Sequence, residues 1–136
     1  MGKAFDDSKL LLANAKEHLE RLTAEERCFS ESNPYTTVID VKSDVANDIY
    51  KLVLASPIPQ QFRTRIADCI NNIRAAVDHA VCASKKTFGE TDITNTYFPF
   101  AKAASELDDS IKNRCKNVRT EIVTLMRSFQ PYQGGD

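Results

Sequence analysis

The chain has 136 residues and a net charge of −1, with 42% hydrophobic and 27% charged residues. These values are typical of a globular protein with one domain, residues 1–136, and the near-neutral charge disfavours a generally basic nucleic-acid coat. No apolar run is long enough to cross a bilayer and the acidic start does not resemble a signal peptide, so we expect a cytoplasmic protein without membrane contact.

The first part of the chain predicts one amphipathic helix over residues 7–32. The helix ends at Ser32-Asn33-Pro34, because the residue before a proline is pushed out of the α region. The prediction depends on apolar residues that recur at helical spacing and share one face: Leu11, Ala15, Leu19, Leu22 and Phe29.

A β-hairpin is predicted over residues 35–56, where β-branched and aromatic residues alternate with polar ones. The polar residues 43–48 would connect its two strands. A lone hairpin is marginally stable in water, so we expect its apolar face to pack on helices. Two sets of residues would each share a face of their strand: Thr37, Ile39 and Val41 in the first, and Tyr50, Leu52 and Leu54 in the second.

The longest helical pattern covers residues 60–86. We expect its apolar side to be buried in the core: Phe62, Ile66, Cys69, Ile70, Ile73, Val77, Ala80 and Val81. A loop over residues 87–109, a last helix over 110–130 and a tail over 131–136 complete the chain. The expected fold is therefore α+β and mainly α. It is an antiparallel bundle of three main helices, with the hairpin inserted between helix 1 and helix 2.

Positive charge collects in residues 60–88 and 110–136, and negative charge in residues 89–109. On one continuous last helix, four basic residues would form a narrow stripe: Lys112, Lys116, Arg119 and Arg127. Such a stripe could bind the phosphates of RNA or an acidic partner. The alternative is a solvated face neutralised by the acidic loop.

The central helix carries the densest group of chemically capable side chains, in two stripes. One contains Asp68, Asn72 and His79; the other contains Asn71, Arg74 and Asp78, where Arg74 and Asp78 can pair at i,i+4. Arg74 and His79 lie about 140° apart around the helix, so one helix cannot direct both at a single phosphate. A second copy or a partner protein, bound through helix 60–86, would have to complete such a site.

These polar residues have two interpretations. In the first, Asn71, Asn72 and Asp78 satisfy backbone or inter-helix hydrogen bonds while Arg74 forms an ion pair. In the second, His79 is a general acid or base that acts at a phosphodiester beside Arg74. The chain lacks a Gly-rich phosphate loop and paired cysteine ligands, so we expect neither a cofactor nor a metal.

The run ADCINNIRAAVDHAV resembles the core helix of an uncharacterised bacterial and phage family, whose pattern is of the type Asp-Ala-x-His-Asn-Leu-Arg-Ser-Ala-Leu-Asp-His-Leu. Ser32-Asn33-Pro34-Tyr35, Phe98-Pro99 and Gln130-Pro131-Tyr132 are similar to other conspicuous positions of that family. The resemblance covers most of the chain and implies no established activity.

The Arg74-x4-His79 spacing is also similar to the signature of HEPN domains, dimeric helical bundles that are often metal-independent ribonucleases. By this resemblance His79 would assist proton transfer and Arg74 would bind the phosphate. Ala75 departs from the pattern, because active members usually have a polar residue there, and so does the inserted hairpin. The chain stops where relatives are expected to continue into another helix, which fits a fragment or a shortened member.

The sequence leaves two hypotheses for the function. One is a helical interaction or dimerisation module of bacterial or mobile-element origin, without catalysis. The other is a HEPN-like ribonuclease or an RNA-binding toxin component that uses Arg74 and His79.

Overall fold

The computed structural model describes residues 3–40 and 49–135, which fold into helices and one two-stranded sheet. The expected α+β architecture is confirmed, with the hairpin between the first two helices, but the described residues form four α-helices rather than three. One-turn 3-10 helices at Lys3–Phe5 and Ala104–Glu106 lead into the first and third of them. The elements are α1 (Asp6–Glu31), β1 (Tyr35–Asp40), β2 (Ile49–Leu54), α2 (Gln61–Thr87), α3 (Leu107–Arg114) and α4 (Thr120–Ser128).

The prediction of one last helix over residues 110–130 is wrong, because residues 115–119 leave the helical conformation. Asn117 has φ 60°, in the left-handed region that asparagine tolerates better than most residues. Arg119 then has an extended ψ of 144° and precedes the first turn of α4. In addition, α3 starts at Leu107, inside the segment predicted as a loop.

The two long helices end where the backbone takes a left-handed residue. After α1, Asn33 has φ 53°, and the carbonyl of the following Pro34 accepts a hydrogen bond from Ala55 N–H at 2.7 Å. After α2, Gly89 has φ 87°, and Glu90 N–H donates to the carbonyl of Lys85 at 3.1 Å. The end of α2 therefore has the Schellman arrangement, in which a residue without a Cβ, here Gly89, reverses the chain at low cost.

The chain divides into two compact units, and the first contains residues 1–15 and 70–136. Its core is built by α2, α3, α4 and the segment between α2 and α3. The chain crosses back at a parallel bridge between Ala101 and Tyr132. The buried residues of this core are Val81, Phe98, Leu107, Ile111, Cys115 and Met126.

The second unit, residues 16–69, contains the end of α1, the hairpin and the start of α2. Here the two helices run antiparallel, since Phe29 stacks edge-on against Phe62 with ring centroids 6.0 Å apart. Arg65 donates from Nε and Nη2 to the two carboxylate oxygens of Glu25, at 2.8 and 2.6 Å. This forked hydrogen bond lowers the pKa of Glu25 and raises that of Arg65.

The hairpin is antiparallel, with Tyr35 opposite Leu54 and Ile39 opposite Tyr50. The expectation that its apolar face packs on helices is wrong, because every residue of β2 is exposed. Tyr35 and Ile39 in β1 are 56% and 48% exposed. Val41 and the connection over residues 43–48 lie outside the described residues.

The apolar side of α2 is also less buried than predicted. Ile66, Ile70 and Ile73 are 45%, 60% and 44% exposed, whereas Val81 further along the helix is only 4% exposed. The apolar residues do lie on one helix, as their spacing predicted. Among the described residues, the three isoleucines are the least covered part of this face, whereas Phe62 and Val81 towards its two ends have packing partners.

Candidate functional site

Arg74 and Asp78 both hold the segment that follows α2 and do not pair with each other. Phe98 N–H donates a hydrogen bond of 2.7 Å to Asp78 Oδ1. The guanidinium carbon of Arg74 lies 5.5 Å from the ring centroid of Phe100, the distance of a cation–π contact. Asp78 thus binds a backbone group, and Arg74 contacts an aromatic ring where an ion pair was one of the expectations.

Arg74 lines an open cleft of about 650 Å³ in the first unit. Two further cations line this cleft, Lys102 and Arg114, together with the carboxylates of Glu106 and Asp109. Phe100 contributes an aromatic surface that is 39% exposed. The cleft therefore offers an exposed cation and a ring face, with acidic groups along the α3 side.

His79 lies in a different and smaller cleft of about 220 Å³. Its neighbours there are Asp7 and Ser8 at the start of α1, and Cys82 and Lys86 on α2. The hydroxyl of Ser8 is buried and has no hydrogen-bond partner among the described residues. Among the residues that the structure describes, none lines both this cleft and that of Arg74.

The structure thus separates the two residues that the sequence suggested as a catalytic pair. Arg74 and His79 are both exposed, but within one chain they face different clefts. Asp68 and Asn71 are exposed on α2, and Asn72 is half-buried. A shared phosphate site would require His79 of one chain to meet Arg74 of another.

The predicted basic stripe is not on one helix, because α3 ends before it is complete. Lys112 lies on α3, Lys116 in the break, Arg119 just before α4 and Arg127 on α4. Arg119 covers the ring of Phe88, with its guanidinium carbon 4.2 Å from the centroid. Arg127 Nη1 lies 2.5 Å from Asp108 Oδ1. Phosphate or partner binding by these four residues stays a prediction, and two of the four already have a protein partner.

The thiols of the first unit are poor nucleophiles. Burial raises the pKa of Cys115 to about 11, and the thiol donates weakly to the carbonyl of Tyr97. Burial and the nearby Asp78 raise the pKa of Cys82. Because the thiolate is the reactive form, neither cysteine suits nucleophilic catalysis. The four cysteines are free thiols.

Across residues 3–40 and 49–135, no group of three His, Cys, Asp or Glu side chains is placed to hold a metal ion. Within the same ranges, no helix combines the length and the apolar character that crossing a membrane requires.

The residues around Arg74 could not be found from the spacing of α2. Phe100, Lys102 and Arg114 come from the following segment and from α3, and only the fold brings them to Arg74. The sequence signal that was available is Phe98-Pro99-Phe100, a rigid aromatic segment in which Phe98 and Pro99 are both buried.

Comparisons with models of protein families, with curated proteins and with solved structures gave no match. The proposed function therefore rests on the geometry of the chain itself.

Proposed function

We propose that this protein is a helical self-association module whose chains pair through the exposed isoleucine face of α2. The observation that carries the proposal is the exposure of Ile70 and Ile73, at 60% and 44%. Large aliphatic side chains grouped on a surface are typical of protein–protein contacts.

The spacing of these residues fits a helix–helix contact. Ile66, Ile70, Ile73 and Val77 are separated by four, three and four residues, the spacing of the a and d positions in a coiled coil. Val77 already packs against the core, so the exposed isoleucines continue a face whose other end is covered. The α2 helix of a second chain, packed along this face, would bury the exposed isoleucines.

The polar residues of α2 support a role without catalysis. Asp78 is occupied by Phe98 N–H, and Arg74 contacts Phe100, so both stabilise the segment after α2. His79 lies in another cleft. Arg74 and Asp78 thus have structural contacts and His79 lies apart from them, as expected for a binding module.

Sedimentation equilibrium of the wild type, I70D and N71D tests the proposal. Asn71 is exposed on another side of the same helix, so N71D introduces the same charge without touching the isoleucine face. The wild type and N71D should form assemblies of at least two chains, and I70D should form smaller assemblies. Equal masses for I70D and the wild type would refute the proposal.

A second candidate is a HEPN-like ribonuclease or RNA-binding toxin component. The observation that favours it is the exposed Arg74 in a cleft with Lys102, Arg114 and the ring of Phe100, since cations beside an aromatic surface suit single-stranded RNA. In this hypothesis the pairing of two chains supplies His79 to the Arg74 of the other chain.

An RNA cleavage assay in EDTA, with wild type and H79A, tests this candidate. Cleavage by the wild type and its loss in H79A would support the candidate. An assembled wild type that leaves varied RNA substrates intact would refute the nuclease. RNA affinity that falls steeply with salt, and falls again in R74A, would leave RNA binding as the function.

A further inference from the structure

One face of the hairpin is almost entirely apolar and exposed. The antiparallel register places Tyr35 opposite Leu54, Thr37 opposite Leu52 and Ile39 opposite Tyr50, and these pairs lie on one side of the sheet. Thr37 is the one small polar residue among them. The five large side chains of this apolar face are exposed as follows: Tyr35 56%, Ile39 48%, Tyr50 64%, Leu52 72% and Leu54 40%.

The opposite side of the sheet is different. It carries Thr36, Val38, Ile49, Lys51 and Val53, and its three aliphatic residues are 47%, 47% and 42% exposed. The charge of Lys51 interrupts this second side, whereas no charged residue interrupts the apolar face. Within the described part of the chain, nothing covers the apolar face, since its residues are exposed in both strands.

A two-stranded sheet with an open apolar face is marginally stable in water, and a second packed layer normally supports it. We propose that the second layer is the same hairpin of another copy of this chain, packed face to face as a small β-sandwich. In such a sandwich two sheets lie about 10 Å apart and interdigitate their inner side chains.

The exposed area of the face fits a dimer of this kind. Taking roughly 200 Å² for a fully exposed aromatic side chain and about 100 Å² for an aliphatic one, the five residues expose about 400 Å² per chain. Two copies would bury about 800 Å², and an interface of standard size needs roughly 700 to 1,300 Å² of apolar area. When it is fully buried, the apolar area of the face is therefore within the range that a dimer interface of standard size requires.

The chemistry of the face makes it complementary to itself. None of its residues is charged, so a two-fold axis brings no like charges together. The tyrosine hydroxyls of Tyr35 and Tyr50 can remain at the rim in contact with water while their rings are buried. A face with a net charge would instead require a partner of opposite charge.

This interface is distinct from the one proposed for α2, because Leu52 and Ile70 lie on different elements. Two separate two-fold interfaces on one chain join more than two chains, and they close into a four-chain assembly only when their axes cross at right angles. Because the interfaces use different residues, the two proposals can fail independently. The expected assemblies contain more than two chains for the wild type, two for I70D, two for a hairpin variant and one for the double variant.

The test uses L52K with V53K as the matched control. The two positions are adjacent in β2 but point to opposite sides of the sheet, and both are exposed. Sedimentation equilibrium should show a rise of at least about a hundredfold in the dissociation constant of the hairpin dimer for L52K, because an unpaired charge is buried, and little change for V53K. Far-UV circular dichroism of both variants, and the milder L52T, show whether each chain is still folded.

Each outcome decides the proposal. A smaller assembly for folded L52K and L52T, but not for V53K, supports the sandwich. Equal masses for L52K and V53K, or dissociation by V53K alone, overturn it. A wild type that assembles only through Ile70 overturns the hairpin dimer and leaves the α2 interface intact. A wild type that stays a single chain overturns both, and the face would then serve a different protein.

Discussion

Replacing Asp78 by alanine should destabilise the chain markedly, because one carboxylate connects α2 to the segment that closes the core. Phe98 N–H donates to Asp78 Oδ1 at 2.7 Å, and Phe98 is a core residue that is only 9% exposed. In D78A the backbone N–H of Phe98 would stay near the core without an acceptor. In D78N the amide oxygen can still accept the hydrogen bond, but without its charge.

The size of the effect follows from this geometry. A hydrogen bond to a charged acceptor contributes about 1.5–3 kcal/mol to stability. The higher helix propensity of alanine offsets about 0.5 kcal/mol of its loss relative to aspartate. The free energy of unfolding should therefore fall by about 2 kcal/mol in D78A and by about 1 kcal/mol in D78N. With a urea dependence of about 2 kcal/mol/M for a chain of this size, the unfolding midpoint of D78A should fall by about 1 M.

Urea unfolding followed by circular dichroism measures this loss, with N71A as the control. Asn71 is an exposed residue of the same helix, so N71A gains helix propensity without losing a core contact. The expected order of midpoints is N71A, wild type, D78N and D78A, from highest to lowest. If D78A unfolds at the same urea concentration as N71A, the structural role of Asp78 is refuted.

Four further predictions concern the break between α3 and α4, an unpaired hydroxyl and two titrating groups. N117A should cost about 1 kcal/mol in urea unfolding, because alanine is strained in the left-handed region that Asn117 occupies; an unchanged midpoint would contradict the break. S8A should raise the midpoint by about 0.5 M, because it removes a buried hydroxyl without a partner; a lower midpoint would show that the hydroxyl is satisfied. Burial raises the pKa of Cys115 from 9.0 to about 11, so its contribution to stability should be intact below pH 9 and lost as the pH rises towards 11; C115A should lack this decline in unfolding experiments across that range. The forked hydrogen bond from Arg65 lowers the pKa of Glu25 from its ordinary 4.5, so stability should fall as the pH drops from 4.5 through the lowered pKa, and E25Q should show a smaller fall.

The long helices and the hairpin could be predicted because local signals agree there. Apolar residues recur at the period of a helix in α1 and α2, and Pro34 and the β-branched run mark where the period changes. The break between α3 and α4 could not be predicted in this way. Cys115, Val118 and Ile122 keep a helical spacing across it and all contact the core, so the apolar pattern continues although the helix does not.

The candidate site was predicted less well, for two physical reasons. The partners of Arg74 and Asp78 are Phe100 and Phe98, which are distant in sequence, and spacing along one helix carries no information about them. Periodicity also identifies an apolar face without showing what covers it. Ile70 and Leu52 follow the pattern of buried residues, and both are exposed in the chain.

The most direct test of pairing through α2 is an isotope-filtered nuclear Overhauser experiment on an equal mixture of two samples of the chain. One sample carries ¹³C-labelled isoleucine methyl groups and the other is unlabelled. The account predicts intermolecular contacts at the methyl groups of Ile70 and Ile73, which are exposed within one chain. An assembled protein in which these methyl groups show contacts only within their own chain would contradict it.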